Sequence, residues 1–462
     1  MNVLGFFHTY AQDGEFGSFM LELIKGFENS GINLHVIKAN DLVDNLSAHS
    51  YSDRIDVHKL EELIKSLNPA FIFSTNHAGI GKVIKKKYKH IPVVTWMVDR
   101  NPFLHSGYEL DKLFSKQDYV ITSSTANVEK LEKRFPILEN KVVYLPFMTN
   151  PNSFNHSHYK DINISFVGSV FVNTKIIVDM FKNNLSNMEL RTNLCNFIKD
   201  VEKNYDLDLK ETIDKYKLKR VIKDNNLTNE KFLGIIANMI SNNKRFLYLG
   251  SIADLGLHLF GTKNWHSALK VSPRLVSRFH FNTFIKTREQ LCNVYDRSKI
   301  SLNINHHQAT TGLGYRVFDI MASSSLLISN YQKESDLEVL FGKNHPIPIY
   351  KDEIELRDLV QFYLNHEDER VKIVQQCNDL IKDMHTFEKR AVQIVQIIDS
   401  SFEGKKEIQP AVFYEQDFFL KINSELVNIQ KELTPLERKL RKLKKDPQAF
   451  LRDSKILKIF RS

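Results

Sequence analysis

Short apolar runs recur along the first third of the chain, and between them apolar side chains return every three or four positions. Asn2–Phe7 is the first run. It ends in a Gly-bearing loop, His8 to Ser18, after which Phe19, Leu21, Leu23, Ile24 and Phe27 mark a helix. Further runs at Asn33–Ile37, Phe71–Ser74, Pro92–Trp96, Tyr119–Thr122 and Val142–Leu145 read as strands, with helical stretches such as 57–66 and 126–135 between them. Short apolar strands alternating with helices predict a parallel sheet covered on both faces. Residues 146–158, rich in Asn, Pro, Ser and His, read as a linker. A second α/β block opens at Ile162–Ser169. A mostly helical stretch, about 175–245, interrupts it. Strands resume at Phe246–Leu249, Leu257–Phe260, Ile300–Ile304 and Leu326–Ser329, and helices cover roughly 353–365 and 368–400. The expected fold is α/β, with two doubly wound Rossmann-like domains facing a cleft. The first spans 1–155 and the second 156–400 with its helical insertion, followed by a helical extension and basic tail over 401–462. In such sheets a ligand sits beyond the carboxyl ends of the strands.

Composition narrows the class. A chain of 462 residues holds two or three domains, and 11% aromatic content excludes a disordered or low-complexity protein. Cys195, Cys292 and Cys377 are far apart and form no C-x-x-C pair, which excludes a disulfide framework or a Cys-rich zinc module and fits a reducing compartment. The start lacks a basic n-region, and no apolar run approaches the length of a membrane span, so a soluble intracellular protein is expected. The net charge of +9 is unevenly placed: residues 435–462 hold ten basic and three acidic side chains, leaving the preceding residues nearly neutral. A nucleic-acid-binding body is therefore not expected. In the tail, Leu433, Leu436, Leu440 and Leu443 share one helical face and basic residues fill the others. Pro447 breaks that helix, and Phe450, Leu451, Ile456, Leu457, Ile459 and Phe460 follow among more Lys and Arg. This combination suits an anionic membrane surface, and a dimerising or solvated helix pair is the other reading.

The window Ser301–Ser329 is the richest in chemistry. It reads strand, polar loop, Gly312-x-Gly314, helix, small-residue turn, strand. The two glycines let backbone approach a ligand at a helix N-terminus, where free N–H groups and the dipole favour a phosphate. Arg316 adds a cation in the first turn. Asp319, one turn on, can accept hydrogen bonds from a ribose diol.

Tyr315–Ser329, followed by Glu334-Ser335-Asp336-Leu337, Leu340-Phe341 and the Glu355-Leu356-Arg357 helix, resembles the C-terminal domain of GT-B-fold glycosyltransferases. The likeness is to the glycosyl transferases group 1 set, which includes spore-maturation-type and bacterial surface-polysaccharide enzymes, and it covers about 160–400. In that set a Phe-Glu-x-Met-Ala-x-Gly pattern supplies the acid that holds the donor ribose. The matching residues are Phe318-Asp319-Ile320-Met321-Ala322-Ser323-Ser324, with Asp in place of Glu and Ser324 in place of Gly. Many retaining members carry a second Glu eight residues earlier; this chain has Thr311. Ile164–Ser169 resembles the first strand and turn of the same domain, which implies that Gly168 and Ser169 face the donor diphosphate; a glycine there also simply makes a turn. Donor contacts are thus expected from Gly168, Ser169, His306, Gly312, Gly314, Tyr315, Arg316 and Asp319.

Other candidates carry a plainer alternative. His306-His307 follows a strand end; adjacent residues cannot both face one metal from a strand, so a hydrogen bond to the donor competes with ordinary loop polarity. An inverting transferase needs a base on the acceptor side, and Asp13, His77 and Asp99 are the candidates, with His8 and Glu15 in the same loop as Asp13. Each also serves as a loop cap. Asp206-Leu207-Asp208 imitates a metal motif but lies in a Lys/Glu-rich helical stretch. No G-x-S-x-G elbow supports hydrolase chemistry. Lys442–Ser454 looks like the ends of bacterial capsule-type transferases. The resemblance implies metal-independent transfer from a nucleotide-diphosphate sugar to a bacterial surface glycan of capsule or lipopolysaccharide type, with no cofactor beyond that co-substrate. The acceptor is a glycan or lipid-linked, and the protein is expected to be peripheral at the inner face of the cytoplasmic membrane. A non-catalytic nucleotide-binding subunit and a nucleotide-sugar epimerase share the same fold-level signature.

Overall fold

The computed structural model describes residues 1–9, 14–43, 51–98, 114–157, 159–281, 284–404 and 407–421. Two parallel sheets form its two halves. The strands of the first are β1 (Asn2–Phe7), β2 (Asn33–Lys38), β3 (Phe71–Thr75), β4 (Val93–Met97), β5 (Tyr119–Thr122) and β6 (Val142–Tyr144). The second has β7 (Ile162–Val167), β8 (Leu257–Phe260), β9 (Ser298–Asn303), β10 (Leu326–Asn330) and β11 (Ile349–Tyr350). A last strand, β12 (Val412–Tyr414), returns to the first sheet. The orders are β12-β2-β1-β3-β4-β5-β6 and β11-β10-β9-β7-β8. In each sheet the order reverses beside a central strand, the doubly wound arrangement that leaves a crevice at the carboxyl ends. Every residue of β3, β4 and β10 is buried, as strands covered on both faces require.

Residues 175–245 build helices Lys175–Asn183, Met188–Lys203, Leu209–Lys215 and Lys219–Asp224 and most of a long helix, Asn229–Ser251. Their own apolar core, including Met180, Phe197, Ile213, Phe232 and Ile236, makes the insertion a packed unit. The expected strand Phe246–Leu249 is instead the last turns of the long helix. Its apolar run is only four residues long, and Leu247 points to solvent while Leu249 is buried, a helical rather than a buried-strand pattern. Asp208 caps the helix Leu209–Lys215 by accepting from Glu211 N at 2.8 Å, and Asp206 pairs with Lys130, so both acids have structural tasks.

The expected helix 368–400 is two, Glu367–Lys382 and Phe387–Gln396, with Thr386 capping the second. That second helix crosses back onto helix Ser18–Asn29 of the first domain. The approach is close enough that a Cβ on Gly26 would lie 2.7 Å from the carbonyl oxygen of Phe387. The segment after it departs from the expected helical extension. β12 pairs with β2, Val412 opposite His35, and Lys421 N donates to the Arg54 carbonyl. The chain thus closes the edge of the first sheet before the basic tail, whose residues 435–462 lie outside the described ones. One apolar core runs through both halves, joining Phe27, Phe73 and Trp96 to Phe318, Met321 and Phe387.

Candidate functional site

The carboxyl ends of β4, β5 and β9 approach one another across the cleft and enclose a cavity of about 360 Å3. Met97, Thr122–Ser124 and Phe147 form one wall, and Asn303–His306 with Gly312–Arg316 form the other. Arg245 reaches in from the long helix of the insertion. Among the described residues, those lining this space include no carboxylate.

Two guanidiniums stand over the Phe166 ring, Arg316 at 5.3 Å and Arg245 at 5.9 Å from its centroid. Arg245 also lies 5.0 Å from the Phe171 centroid. Arg245 is buried; it donates to the Ser169 carbonyl, and its Nε has no partner. Burial, and then the neighbouring charge of Arg316, pull the Arg245 pKa down to about 9. Among the described residues of the wall no carboxylate neutralises the pair, so like charges sit together in a partly desolvated place. An anion bound between them would relieve that repulsion.

The helix Tyr315–Ala322 starts at the same wall, with Gly314 at its N-cap. Its first backbone N–H groups lack intrahelical partners and add positive potential. A Cβ on Gly314 would meet nothing within 4 Å, so the chain leaves room there. Gly312 is different. A Cβ there would lie 2.5 Å from the Ser123 carbonyl oxygen, so this glycine permits the two domains to touch. Tyr315 lines the cavity with its ring 5.8 Å from Phe19 and 6.4 Å from Phe147.

His306 also lines the cavity. Its Nδ1 accepts from Gln308 N at 3.2 Å, which leaves Nε2 to donate to Asn238 Oδ1 at 2.9 Å. Burial and then the Arg245 charge push its pKa down to about 3, so the ring is neutral. His307 turns away: Nε2 donates to the Val201 carbonyl at 2.8 Å. The adjacent rings diverge in the loop after β9, and among the described residues no group of three or more His, Cys, Asp or Glu could hold a metal.

Several expected donor residues stand elsewhere. Gly168 and Ser169 do not line the cavity; they sit behind the arginines and position them. The Gly168 carbonyl accepts from Trp265 Nε1 at 2.8 Å, and a Cβ on Gly168 would lie 3.2 Å from an Arg316 nitrogen. Asp319 is likewise absent from the wall and fully buried. Its Oδ1 accepts from Arg288 Nη1 at 2.6 Å and Thr149 Oγ1 at 2.7 Å, while Oδ2 has no partner. The shorter Asp side chain is committed to an ion pair that fastens the helix to the interdomain linker. Asp319 thus makes an ion pair at the position where the resemblance implies a ribose contact.

The other two departures from the family pattern also have structural reasons. Thr311 bonds Ser124 Oγ at 2.7 Å and accepts from Ala126 N at 3.3 Å, across the domain boundary. Asp336 accepts from Thr125 N at 3.0 Å, so the second domain caps helix Ala126–Arg134 of the first. Ser324 lies at the linker, where its hydroxyl accepts from Lys160 Nζ at 2.7 Å and faces Asp296. Burial lowers Lys160 to about 8 despite Asp296. On the acceptor side, His77 is buried, with Nδ1 2.9 Å from Thr95 Oγ1 and its ring against Phe114, and it does not line the cavity. His8 Nδ1 lies 3.0 Å from Thr75 Oγ1. Asp13 and Asp99 fall outside the described residues.

Two parallel doubly wound domains with an anion-suited cavity between them define a protein of the GT-B fold. Residues 244–396, which hold Arg245, Arg316 and most of the second sheet, match the model of the glycosyl transferase-like family. Solved structures share the architecture at low identity. A glycosyltransferase from Rickettsia africae matches at 12% identity with a TM-score of 0.51, covering 87% of this chain and 99% of that one. Sucrose-phosphate synthase from Thermosynechococcus elongatus matches at 10% identity and a TM-score of 0.52, with coverage of 87% and 99%. Anabaena HepE, in complex with UDP-glucose, matches at 9% identity and a TM-score of 0.51, covering 87% and 100%. A comparison with curated protein sequences finds no match.

Arg245 is the site residue that sequence reading misses. It sits in what reads as a helical insertion running into a strand, and its task appears only when the turn at Ser169 folds against it, 76 residues away. The family match, which begins at residue 244, is a signal that includes it.

Proposed function

We propose that the chain is a glycosyltransferase that moves a sugar from a nucleotide-diphosphate donor to a hydroxyl of a bacterial surface glycan, of capsule or lipopolysaccharide type. The observation that carries this reading is a cavity whose described lining holds no carboxylate and places two guanidiniums at a helix N-terminus. Transfer breaks the anomeric C–O bond, and the departing diphosphate gains negative charge. Arg245, Arg316 and the first N–H groups of helix Tyr315–Ala322 stabilise that charge without a metal. His306, neutral, keeps the wall polar without adding a proton to the leaving group. The acceptor oxygen loses its proton as it attacks, and Asp13 and Asp99 are the candidates for the base if configuration inverts. The basic tail 435–462 holds the enzyme at the anionic inner face of the membrane, beside a lipid-linked acceptor.

The test is nucleotide release from UDP-, GDP- and CMP-sugars, with detergent-solubilised membrane acceptors, by wild type and Arg316→Gln. Release from one donor that falls sharply in the variant is expected. Nucleotide binding without release from any donor would move the reading to a non-catalytic subunit. Conversion of a donor without acceptor or release would move it to an epimerase.

A further inference from the structure

Between Asp254 and Glu289 the chain carries no acidic residue. The same stretch exposes Lys263, Lys270, Arg274, Arg278 and Lys286. It also exposes four large apolar side chains: Leu269 at 56%, Val271 at 66%, Phe281 at 47% and Phe284 at 50%. Asp254 itself is matched by Arg357 through bonds of 2.8 and 2.7 Å. Single exposed apolar residues are ordinary on a protein surface; a group of them on a stretch of chain that carries cations and no acid is not.

The local geometry gathers these side chains. Lys263–Lys270 is a 3₁₀ helix, in which positions three apart eclipse, so Lys263, His266 and Leu269 form one row. Trp265 and Ala268 are buried beneath it. The His266 ring meets Phe281 at 4.7 Å, and Phe281 meets Phe279 at 5.1 Å, which joins the row to the loop that carries Phe284. Helix Pro273–Val276 packs alongside and adds Arg274. The whole surface is fastened to the donor side of the cleft. Trp265 Nε1 donates to the Gly168 carbonyl, and Thr262 N donates to Ser169 Oγ at 2.8 Å, on the same turn whose carbonyl holds Arg245.

We propose that this surface docks on an anionic lipid bilayer, as a membrane contact separate from the tail 435–462. The lysines and arginines are drawn to the headgroups, and Leu269, Val271, Phe281 and Phe284 enter the boundary with the acyl chains. Nucleic acid would satisfy the cations and leave the aliphatic side chains in water. The bilayer plane then runs past the turn that positions Arg245, within reach of the arginine cavity.

The experiment is co-sedimentation of the full chain with vesicles of phosphatidylcholine alone and of phosphatidylcholine mixed with phosphatidylglycerol. The surface variant is Leu269→Glu with Phe281→Glu; a second, Lys270→Gln with Arg274→Gln, touches charge only. Each is made in the native chain and in one carrying Lys442→Gln, Lys444→Gln and Lys445→Gln, which weakens the tail. Thermal unfolding checks that each variant folds. The expected result is binding to the mixed vesicles that falls about tenfold or more in the Glu variant in both backgrounds, the factor that burying one large apolar side chain supplies. The Gln variant falls less and loses its remaining salt dependence in part. Unchanged partition of a folded Glu variant in the weakened-tail background would overturn the proposal. So would equal binding of wild type to phosphatidylcholine alone. Nucleotide release without vesicles, measured on the same samples, reports separately on the transferase reading.

Discussion

Replacing Asp319 by alanine removes a carboxylate that is 1% exposed and leaves Arg288, 14% exposed, without its ion-pair partner. Arg288 keeps Thr149 Oγ1 at 2.7 Å, the Phe154 ring at 5.1 Å and the weaker field of Glu22. Breaking a buried pair from one side costs about 3–5 kcal/mol, because a charge is left desolvated and unmatched. At about 2–4 °C per kcal/mol for a unit of this size, the unfolding temperature of the second domain falls by about 6–20 °C. Adding Arg288→Met removes the stranded charge and returns part of the loss. The assay is thermal unfolding by calorimetry, paired with nucleoside-diphosphate titration well below the transition. The structure predicts a large loss of stability with affinity nearly intact in the folded fraction. An unfolding temperature that stays within about 1 °C while nucleotide affinity collapses would refute the reasoning and restore the carboxylate to the ribose.

Acid should destabilise the protein through two buried histidines. His306 and His385 titrate at about 3 and about 4 when folded, lowered first by burial and then by Arg245 and Arg390 respectively, against about 6.5 for a free histidine side chain. Their lowered folded values mean the unfolded chain takes up protons first as pH falls below 6.5. Stability is then lost at about 1.4 kcal/mol per pH unit and histidine until the folded values are reached. Denaturant midpoints at pH 7 and 5 check this, and a flat profile would contradict it. Gly312→Ala drives a Cβ into the Ser123 carbonyl, so small-angle scattering should show a wider cleft and nucleotide binding should weaken; Gly314→Ala, open on all sides, should leave both scattering and unfolding unchanged. Thiol titration should count one reactive cysteine, exposed Cys195, in the native protein and three in denaturant. Burial pushes Cys292 and Cys377 up to about 12, and fast modification of either would contradict the packing.

The strands that the sequence makes legible are those buried on both faces. Tyr119–Thr122, inside the first sheet, matches to the residue because its apolar run has few other places to go. β12 escapes notice because it is three residues long, an edge strand with two side chains exposed, and it pairs with a strand far back in the chain. Phe246–Leu249 misleads because a short apolar run looks alike in a strand and in the end of a helix. At the site, Gly314, Tyr315 and Arg316 are readable because a helix start after a strand is a local feature. The buried pair of Asp319 with Arg288 is not, since Asp319, Arg288 and Thr149 come from three separate segments of the chain. The contact of Thr311 with Ser124 likewise exists only once the domains meet.

The most direct measurement is calorimetric titration with UDP, GDP and CDP, each against its parent nucleoside, on wild type and Arg316→Gln. If the paired arginines form the donor diphosphate site, one diphosphate binds far more tightly than its nucleoside. Arg316→Gln then weakens that diphosphate by about 10- to 100-fold, the loss of one charge-assisted hydrogen bond, and leaves the nucleoside unaffected. Equal affinity for nucleoside and diphosphate, or a variant that binds the diphosphate as wild type does, would contradict the account.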